Sequence, residues 1–174
     1  MKTYSKQRQK GRSMIEMLGV LAIVGVLSAG GIAGYSMAMQ SYKTNQLIER
    51  IQLLATVARS TYKGNYQGIS AANLIKAGKV SDITSPFGGN LVVRANGSSP
   101  GYAYFVVETP VGMPVDTCVD ILQTDWGKEG VFMGVDMGSS TFRLADGTYP
   151  LDSSQAISKC KSLTSANDIE IWFK

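Results

Sequence analysis

The feature that most constrains this chain is a long uncharged segment near its N-terminus. No residue from Met17 to Tyr42 carries a charge, and the segment reads MLGVLAIVGVLSAGGIAGYSMAMQSY. Its most apolar part, Met17 to Met39, exceeds the roughly 20 residues that a helix needs to span a bilayer. The stretch before it is basic and contains no acid, with charges at Lys2, Lys6, Arg8 and Lys10. This flank predicts that the N-terminus stays in the cytoplasm.

Three interpretations compete for this segment. A cleaved secretory signal would end near Ser28-Ala29-Gly30, a plain signal anchor would remain uncut, and a third kind of signal is cut before the apolar run. Continuity favours the third, because the apolar pattern goes on as a helical stripe formed by Leu47, Ile48, Ile51, Leu54, Ala55, Ala58 and Tyr62. We therefore predict one helix from about Ser13 to Tyr62, about 75 Å long, with an apolar first half and an amphipathic second half.

A single carboxylate, Glu16, stands at the head of the apolar segment. A charge there is costly in lipid. Either Glu16 reaches the cytoplasmic interface, or it waits for a positive partner that belongs to another molecule. The glycines that follow it at Gly19, Gly25, Gly30, Gly31 and Gly34 suit either close helix packing or local melting of the helix.

The residues around Glu16 resemble a known processing signal. Gly11 is followed by Arg12-Ser13-Met14-Ile15-Glu16 and then by the apolar stretch, which is similar to the class III signal of type IV pilins and pseudopilins. The resemblance implies that a prepilin peptidase cuts between Gly11 and Arg12, that Arg12 is N-methylated, and that Glu16 acts in assembly. Arg12 departs from the family pattern, whose first mature residue is usually apolar.

Beyond Tyr62 the pattern predicts a mixed α and β domain. Helices are predicted at 70–78, 114–125 and 152–161, and strands at 91–95, 102–108, 131–135, 140–144 and 168–173. The last strand is predicted to be interior, because Ile169, Ile171 and Phe173 share one face. Tyr102, Tyr104 and Phe105 are predicted to lie in the core rather than to form a stacking platform.

This arrangement resembles the pilin head, an α+β fold in which a long helix packs on an antiparallel sheet, and it is more like the type IVb subclass. The resemblance implies a disulfide between Cys118 and Cys160 that closes a C-terminal region, with two buried thiols as the alternative; an extracytoplasmic location favours the disulfide. It further implies a leader at 1–11 that is removed, a transmembrane and filament-core helix at 12–40, its amphipathic continuation at 41–64 and a globular head at 65–174.

No catalytic constellation is present in the sequence. The chain has no His, which removes the commonest general base and metal ligand. Phosphate-binding loops and zinc-protease motifs are also absent, and Asp116, Asp120 and Asp125 are interpreted as a solvated helix face. We therefore predict no enzyme activity, no cofactor and no metal site.

The resemblance implies the function of a structural subunit, the major pilin, of a type IV pilus that serves adhesion, motility or uptake. The implied partners are further copies of the chain in a helical homopolymer, the prepilin peptidase, and the platform, ATPase and secretin of the assembly machine. The precursor would lie in the bacterial inner membrane and the mature protein in an extracellular filament. Alternatives are a minor pilin, a type II secretion pseudopilin, or, from another class, a membrane-anchored or secreted extracytoplasmic binding domain.

The net charge of the chain is explained by the predicted cleavage after Gly11. There are 17 Lys and Arg against 13 Asp and Glu, a net charge of +4 that by itself suggests nucleic acid or an anionic membrane as partner. Removal of residues 1–11 takes away four basic residues and no acid, which leaves 13 of each sign. The excess charge therefore belongs to the leader, and no specific nucleic-acid motif remains.

Overall fold

The longest element of the protein is one helix, α1, which covers Met14–Tyr62 in 49 residues. It confirms the prediction of a single helix that ends at Tyr62. The computed structural model describes residues 13–96, 102–138, 140–161 and 168–174. The chain divides into two units, Met1–Met39 and Gln40–Lys174, and α1 contributes residues to both.

The amphipathic part of α1 supplies one layer of the core of the second unit. Its buried side chains recur at spacings of three and four, at Thr44, Leu47, Ile51, Leu54, Ala55 and Ala58. Ile48 and Tyr62, predicted on the same stripe, are only partly buried. The helix ends where Lys63 and Gly64 adopt positive φ angles of 49° and 90°. Gly64 accepts its angle without strain because it has no Cβ atom.

A short helix and a tight turn connect α1 to the sheet. The second helix, α2, covers Ala71–Lys76, and the hydroxyl of Ser70 caps it by accepting the N–H of Asn73 at 3.2 Å. This places the helix within the predicted range 70–78. The chain then turns over 85–89, where the N–H of Ser85 donates to the carbonyl of Gly89 at 2.9 Å.

Five antiparallel strands form one sheet in the order β1-β2-β5-β3-β4. They cover Val92–Asn96 (β1), Tyr104–Glu108 (β2), Phe132–Asp136 (β3), Thr141–Arg143 (β4) and Glu170–Phe173 (β5). The last strand lies at the centre, as predicted. Strands begin one or two residues later than predicted; Ser140, for example, is excluded from β4 because its carbonyl closes the hairpin turn with the N–H of Met137 at 3.0 Å.

The inner face of the sheet packs against α1 and is rich in aromatic rings. Phe105, Val107, Ile171 and Phe173 alternate toward this face and are buried. The ring centroid of Phe173 lies 5.6 Å from that of Phe105 and 6.3 Å from that of Trp126. These contacts join strands β2 and β5 to the loop that precedes β3 in one core cluster.

Two further helices form the C-terminal region for which the family resemblance implied a disulfide. Helix α3 covers Val115–Gln123 and helix α4 covers Ser153–Lys161. Cys118 and Cys160 are bonded, with their Cα atoms 5.9 Å apart. Asp152 begins α4 by accepting the N–H of Gln155 at 2.9 Å. The α+β class and the disulfide are thus confirmed.

Candidate functional site

The first half of α1 exposes an unusual amount of apolar surface. Every described residue from 13 to 38 is exposed, and large side chains such as Met14, Ile15 and Val26 are 86%, 78% and 74% exposed. Among the described residues, one helix, Met14–Tyr62, is long and apolar enough to cross a membrane, with a mean hydropathy of 2.1 in its most apolar window. Monomeric soluble proteins rarely expose so large an apolar patch, so this surface suits lipid or other helices.

Glu16 lies in the first turn of this apolar helix. The carbonyl of Ser13 accepts the N–H groups of Glu16 at 2.9 Å and of Met17 at 3.1 Å. The partial positive charge of a helix N-terminus favours a carboxylate at this position. No ion pair of Glu16 is recorded within the described part of the chain, and the predicted processing residues Gly11 and Arg12 lie outside it. Glu16 is exposed, so its carboxylate is accessible to a positive group from another molecule.

The glycines of the apolar helix leave open space along its surface. A Cβ atom built at Gly19, Gly25, Gly30, Gly31 or Gly34 would meet no other atom within 4 Å. Small residues of this kind let helix backbones approach closely in apolar surroundings. Along this stretch the described part of the chain places no atom against the glycine positions of the helix.

The disulfide-closed region is tied to the start of the amphipathic half of α1. The side-chain amide of Gln40 donates to Asp116 at 3.1 Å, and the hydroxyls of Thr44 and Thr117 lie 2.9 Å apart in a buried position. Asp116, Asp120 and Asp125 are all exposed, as the solvated-face interpretation predicts, but Asp125 lies beyond α3, which ends at Gln123 and not at the predicted residue 125. Partial desolvation of the carboxyl group by neighbouring atoms, and then the charge of Asp116, raise the pKa of Asp120 although its side chain remains exposed.

A cluster of three carboxylates and one guanidinium lies on the outer face of the sheet, opposite the face that packs on α1. Carboxylate oxygens of Glu108, Asp168 and Glu170 all lie within 4.8 Å of one another. Arg94 bonds both Glu170 and Glu108, the latter with 3.4 Å between Nε and Oε2. Sequence reasoning missed this carboxylate cluster. Alternation along each strand could have placed Glu108 and Glu170 outward, but only the pairing of β2 with β5 brings them together.

A groove of about 610 Å³ lies beside this cluster on the same outer face. Tyr104 and Trp172 lie in it with ring centroids 6.2 Å apart, and the guanidinium of Arg143 lies 5.9 Å from the Trp172 ring. The prediction that Tyr104 lies in the core is wrong, because the strand turns it to the outer face where it is only partly buried. Phe105, next to it, is fully buried as predicted.

Comparison with characterised proteins gives a full-length match. The chain is similar to the major structural subunit of bundle-forming pilus from Escherichia coli O127:H6 (strain E2348/69 / EPEC), with 25% identity over an alignment of 193 residues that covers 99% of this chain and 98% of the relative. The protein of the same name from Escherichia coli O111:H- matches with the same identity and coverage. No family model matches the chain. The similarity therefore spans both the apolar helix and the head.

Proposed function

We propose that this chain, a homologue of the type IV pilins and of their type IVb subclass in particular, is a structural subunit from which an extracellular type IV pilus is polymerised. The carrying observation is the full-length similarity, which includes a helix whose first half exposes apolar side chains on all sides. Its relatives are structural subunits and not enzymes. A polymer of such subunits buries that apolar surface between helices.

The maturation of the subunit forms a second part of the proposal. A leader of residues 1–11 is cut off between Gly11 and Arg12 by a prepilin peptidase, which also methylates Arg12. The precursor lies in the inner membrane through residues 12–40, with 41–64 continuing the helix into a head of 65–174. The platform, ATPase and secretin of the assembly machine then act on the mature subunit. The basic leader, the exposed apolar helix and the placement of Glu16 support this order of events.

Glu16 gives the polymer its register in this proposal. The cut creates an α-amino group four residues before Glu16, and the carboxylate of one subunit pairs with the ammonium group of its neighbour. Inside an apolar bundle an unpaired charge is strongly destabilising, by about 3–5 kcal/mol when one partner of a buried pair is removed. Only an axial offset that joins the two charges avoids this cost, so the pair selects that offset.

The N-terminus of the mature protein tests the maturation step. We expect N-terminal sequencing and intact mass of filament protein to give a chain that begins at Arg12 and carries one added methyl group. A chain that begins near Gly30 or Gly31 would contradict the proposal and indicate an ordinary secreted domain. A chain that still begins at Met1 in isolated filaments would contradict the cleavage but not the polymer.

Replacement of Glu16 tests the assembly step. We expect Glu16→Gln to insert into the membrane at the normal level but to yield about tenfold fewer filaments, or none, by electron microscopy, because the neighbour's ammonium group loses its partner. Glu49→Gln is the matched control, since Glu49 is an exposed carboxylate of the amphipathic half of α1, and it should assemble normally. A normal filament yield from Glu16→Gln would contradict the proposed pair between Glu16 and the ammonium group of the neighbouring subunit.

A further inference from the structure

Strand β4 is one of the two outer strands of the sheet, so one side of its backbone faces no neighbouring strand. On its other side, the N–H of Leu144 donates to the carbonyl of Met133 at 3.0 Å. Because bonded and non-bonded pairs alternate along an antiparallel ladder, the preceding residue Arg143 turns its N–H and carbonyl away from β3, and so does Thr141. Outward-facing groups of this kind are a template for pairing with another chain.

The edge of β4 is accessible from outside the head. Thr141, Arg143 and Thr148 are all exposed. A groove of about 700 Å³ lies between β4 and α4, and its lining includes Thr141 and Thr148 near the strand and Gln155 and Ser158 of the helix. Another chain can therefore reach this edge, and whatever protects it must act through the backbone groups themselves.

The chain that follows β4 folds back onto Arg143. The N–H of Gly147 donates to the carbonyl of Leu144 at 3.1 Å, which closes a four-residue turn. Gly147 adopts a φ of 67°, and glycine is the residue that turns of this kind favour at their last position. The next residue, Thr148, therefore leaves the turn beside Arg143.

Thr148 occupies the outward-facing backbone groups of Arg143. Its hydroxyl accepts the N–H of Arg143 at 2.8 Å and donates to the carbonyl of Arg143 at 3.1 Å. The N–H of Thr148 donates to the same carbonyl at 3.2 Å. One residue thus gives Arg143 the bonds that a neighbouring strand would give it.

The contact is limited to this one residue, because the chain then leaves the edge. Tyr149 is buried, and its hydroxyl donates to the carbonyl of Thr124 at 2.6 Å. Pro150 has no N–H to donate to a ladder. Thr148 therefore covers part of the edge without adding a strand to the sheet.

The opposite edge of the sheet is interrupted in a similar way. Arg94, the middle residue of the outer strand β1, forms an isolated antiparallel bridge with Ser70. Ser70 belongs to no strand and precedes α2. Each outer strand thus has an outward-facing residue that is bonded by a residue from outside the sheet.

We propose that Thr148 is an edge guard, a residue that keeps the edge of β4 from pairing with the edge of β4 in a second copy of the chain. A second copy must break the hydroxyl bonds of Thr148 before it can bond Arg143, and Thr141 alone offers too short a ladder for a stable strand pair. This inference concerns the head and does not rest on the proposed polymer. In a filament, where heads are held close together, the guard prevents strand pairing between them.

Hydrogen exchange of the Arg143 amide, followed by nuclear magnetic resonance on the full chain in detergent micelles, tests the guard. Thr148→Val removes the hydroxyl and keeps the shape of the side chain, whereas Thr148→Ser keeps the hydroxyl and is the matched control. In dilute samples we expect slow exchange in the wild type and in Thr148→Ser. Exchange in Thr148→Val should be about tenfold faster, because the N–H loses its hydrogen bond.

The dependence on protein concentration identifies the partner of an unguarded edge. In Thr148→Val, exchange at Arg143 should become slow again as the concentration rises, because a second copy then bonds this N–H. The sedimentation coefficient of Thr148→Val should also rise with concentration more steeply than that of Thr148→Ser. Association that leaves Arg143 of Thr148→Val in fast exchange would run through another surface and would contradict the proposal.

Two results in dilute samples would also overturn the guard. Fast exchange at Arg143 in the wild type would show that Thr148 does not hold this N–H, and slow exchange in Thr148→Val would show that another group does. Near-UV circular dichroism should be the same for all variants, because the bond from the N–H of Thr148 to the carbonyl of Arg143 needs no hydroxyl. Thr148→Ala, which also lacks the hydroxyl, is a second variant and should behave as Thr148→Val does.

Discussion

Gly134 is placed where β3 can accept no side chain toward β4. A Cβ atom at this position would lie 2.3 Å from the carbonyl oxygen of Phe142 and 3.1 Å from the Cα atom of Arg143. Both are backbone atoms, which cannot turn aside as a flexible side chain would. We predict that Gly134→Ala lowers the free energy of unfolding by about 1–3 kcal/mol, the usual cost of overpacking, measured by chemical denaturation.

The matched control for this substitution is Gly25→Ala. A Cβ atom at Gly25 meets nothing within 4 Å, and alanine favours a helix over glycine by about 1 kcal/mol. Because Gly25 lies in the first unit and outside the core of the head, Gly25→Ala should leave the unfolding of the head unchanged. If Gly134→Ala is as stable as the wild type, strands β3 and β4 lie further apart than described.

Two glutamates show which residues can be recognised from the sequence before the fold is known. Glu16 could be identified from the sequence because its context is local, a charge beside an apolar run. Glu108 could not, because Arg94 and Glu170, which lie beside it, come from other strands and meet it only through the sheet order. A residue whose context lies in its sequence neighbours can therefore be singled out before the fold is known, and a residue whose context depends on strand pairing cannot.

The stability of helices α3 and α4 depends on the disulfide that joins them, because both helices are short. Each helix has nine residues, and helices this short are marginal by themselves. The bond between Cys118 and Cys160 closes a loop with a sequence separation of 42. We predict that Cys118→Ala/Cys160→Ala lowers the free energy of unfolding by about 4 kcal/mol, through the greater entropy of the open unfolded chain.

Reduction provides the control for this prediction. A reducing agent should lower the Tm of the wild type toward that of Cys118→Ala/Cys160→Ala and should leave the double variant unchanged. Both sulfurs are buried, since Cys118 and Cys160 are 1% and 2% exposed, so reduction requires opening of the region. A wild-type Tm that does not change after verified reduction would show that the helices are held by packing alone.

The elements themselves were largely predictable, and their arrangement was not. The period of the apolar stripe gave α1 to within one residue, because a long regular pattern averages over local exceptions. The strands were placed to within two residues by alternation and turn residues. The order β1-β2-β5-β3-β4 was not predictable, because insertion of β5 between β2 and β3 depends on packing of Ile171 and Phe173 against residues distant in sequence.

At the scale of the whole molecule, the two units have opposite solvent preferences. Every buried residue recorded among the described ranges lies in the second unit, from Thr44 onward. The first unit shows exposed apolar side chains over its described residues. The proposed mature chain has 13 charges of each sign, so packed copies do not accumulate net repulsion. The head has its own core, whereas the apolar half of α1 has no buried residue among those described. A polymer in which helices pack against helices requires both properties.

This division leads to a prediction about a shortened chain. We expect a chain that begins at Gln40 to be soluble, monomeric and folded, with the near-UV circular dichroism and disulfide of the full protein, because it retains the whole recorded core. It should form no filaments, since it lacks the apolar surface that assembly would bury. Analytical ultracentrifugation and electron microscopy measure both properties. Filaments formed by the shortened chain would show that contacts between heads alone drive assembly, and an unfolded product would show that the head depends on residues before Gln40.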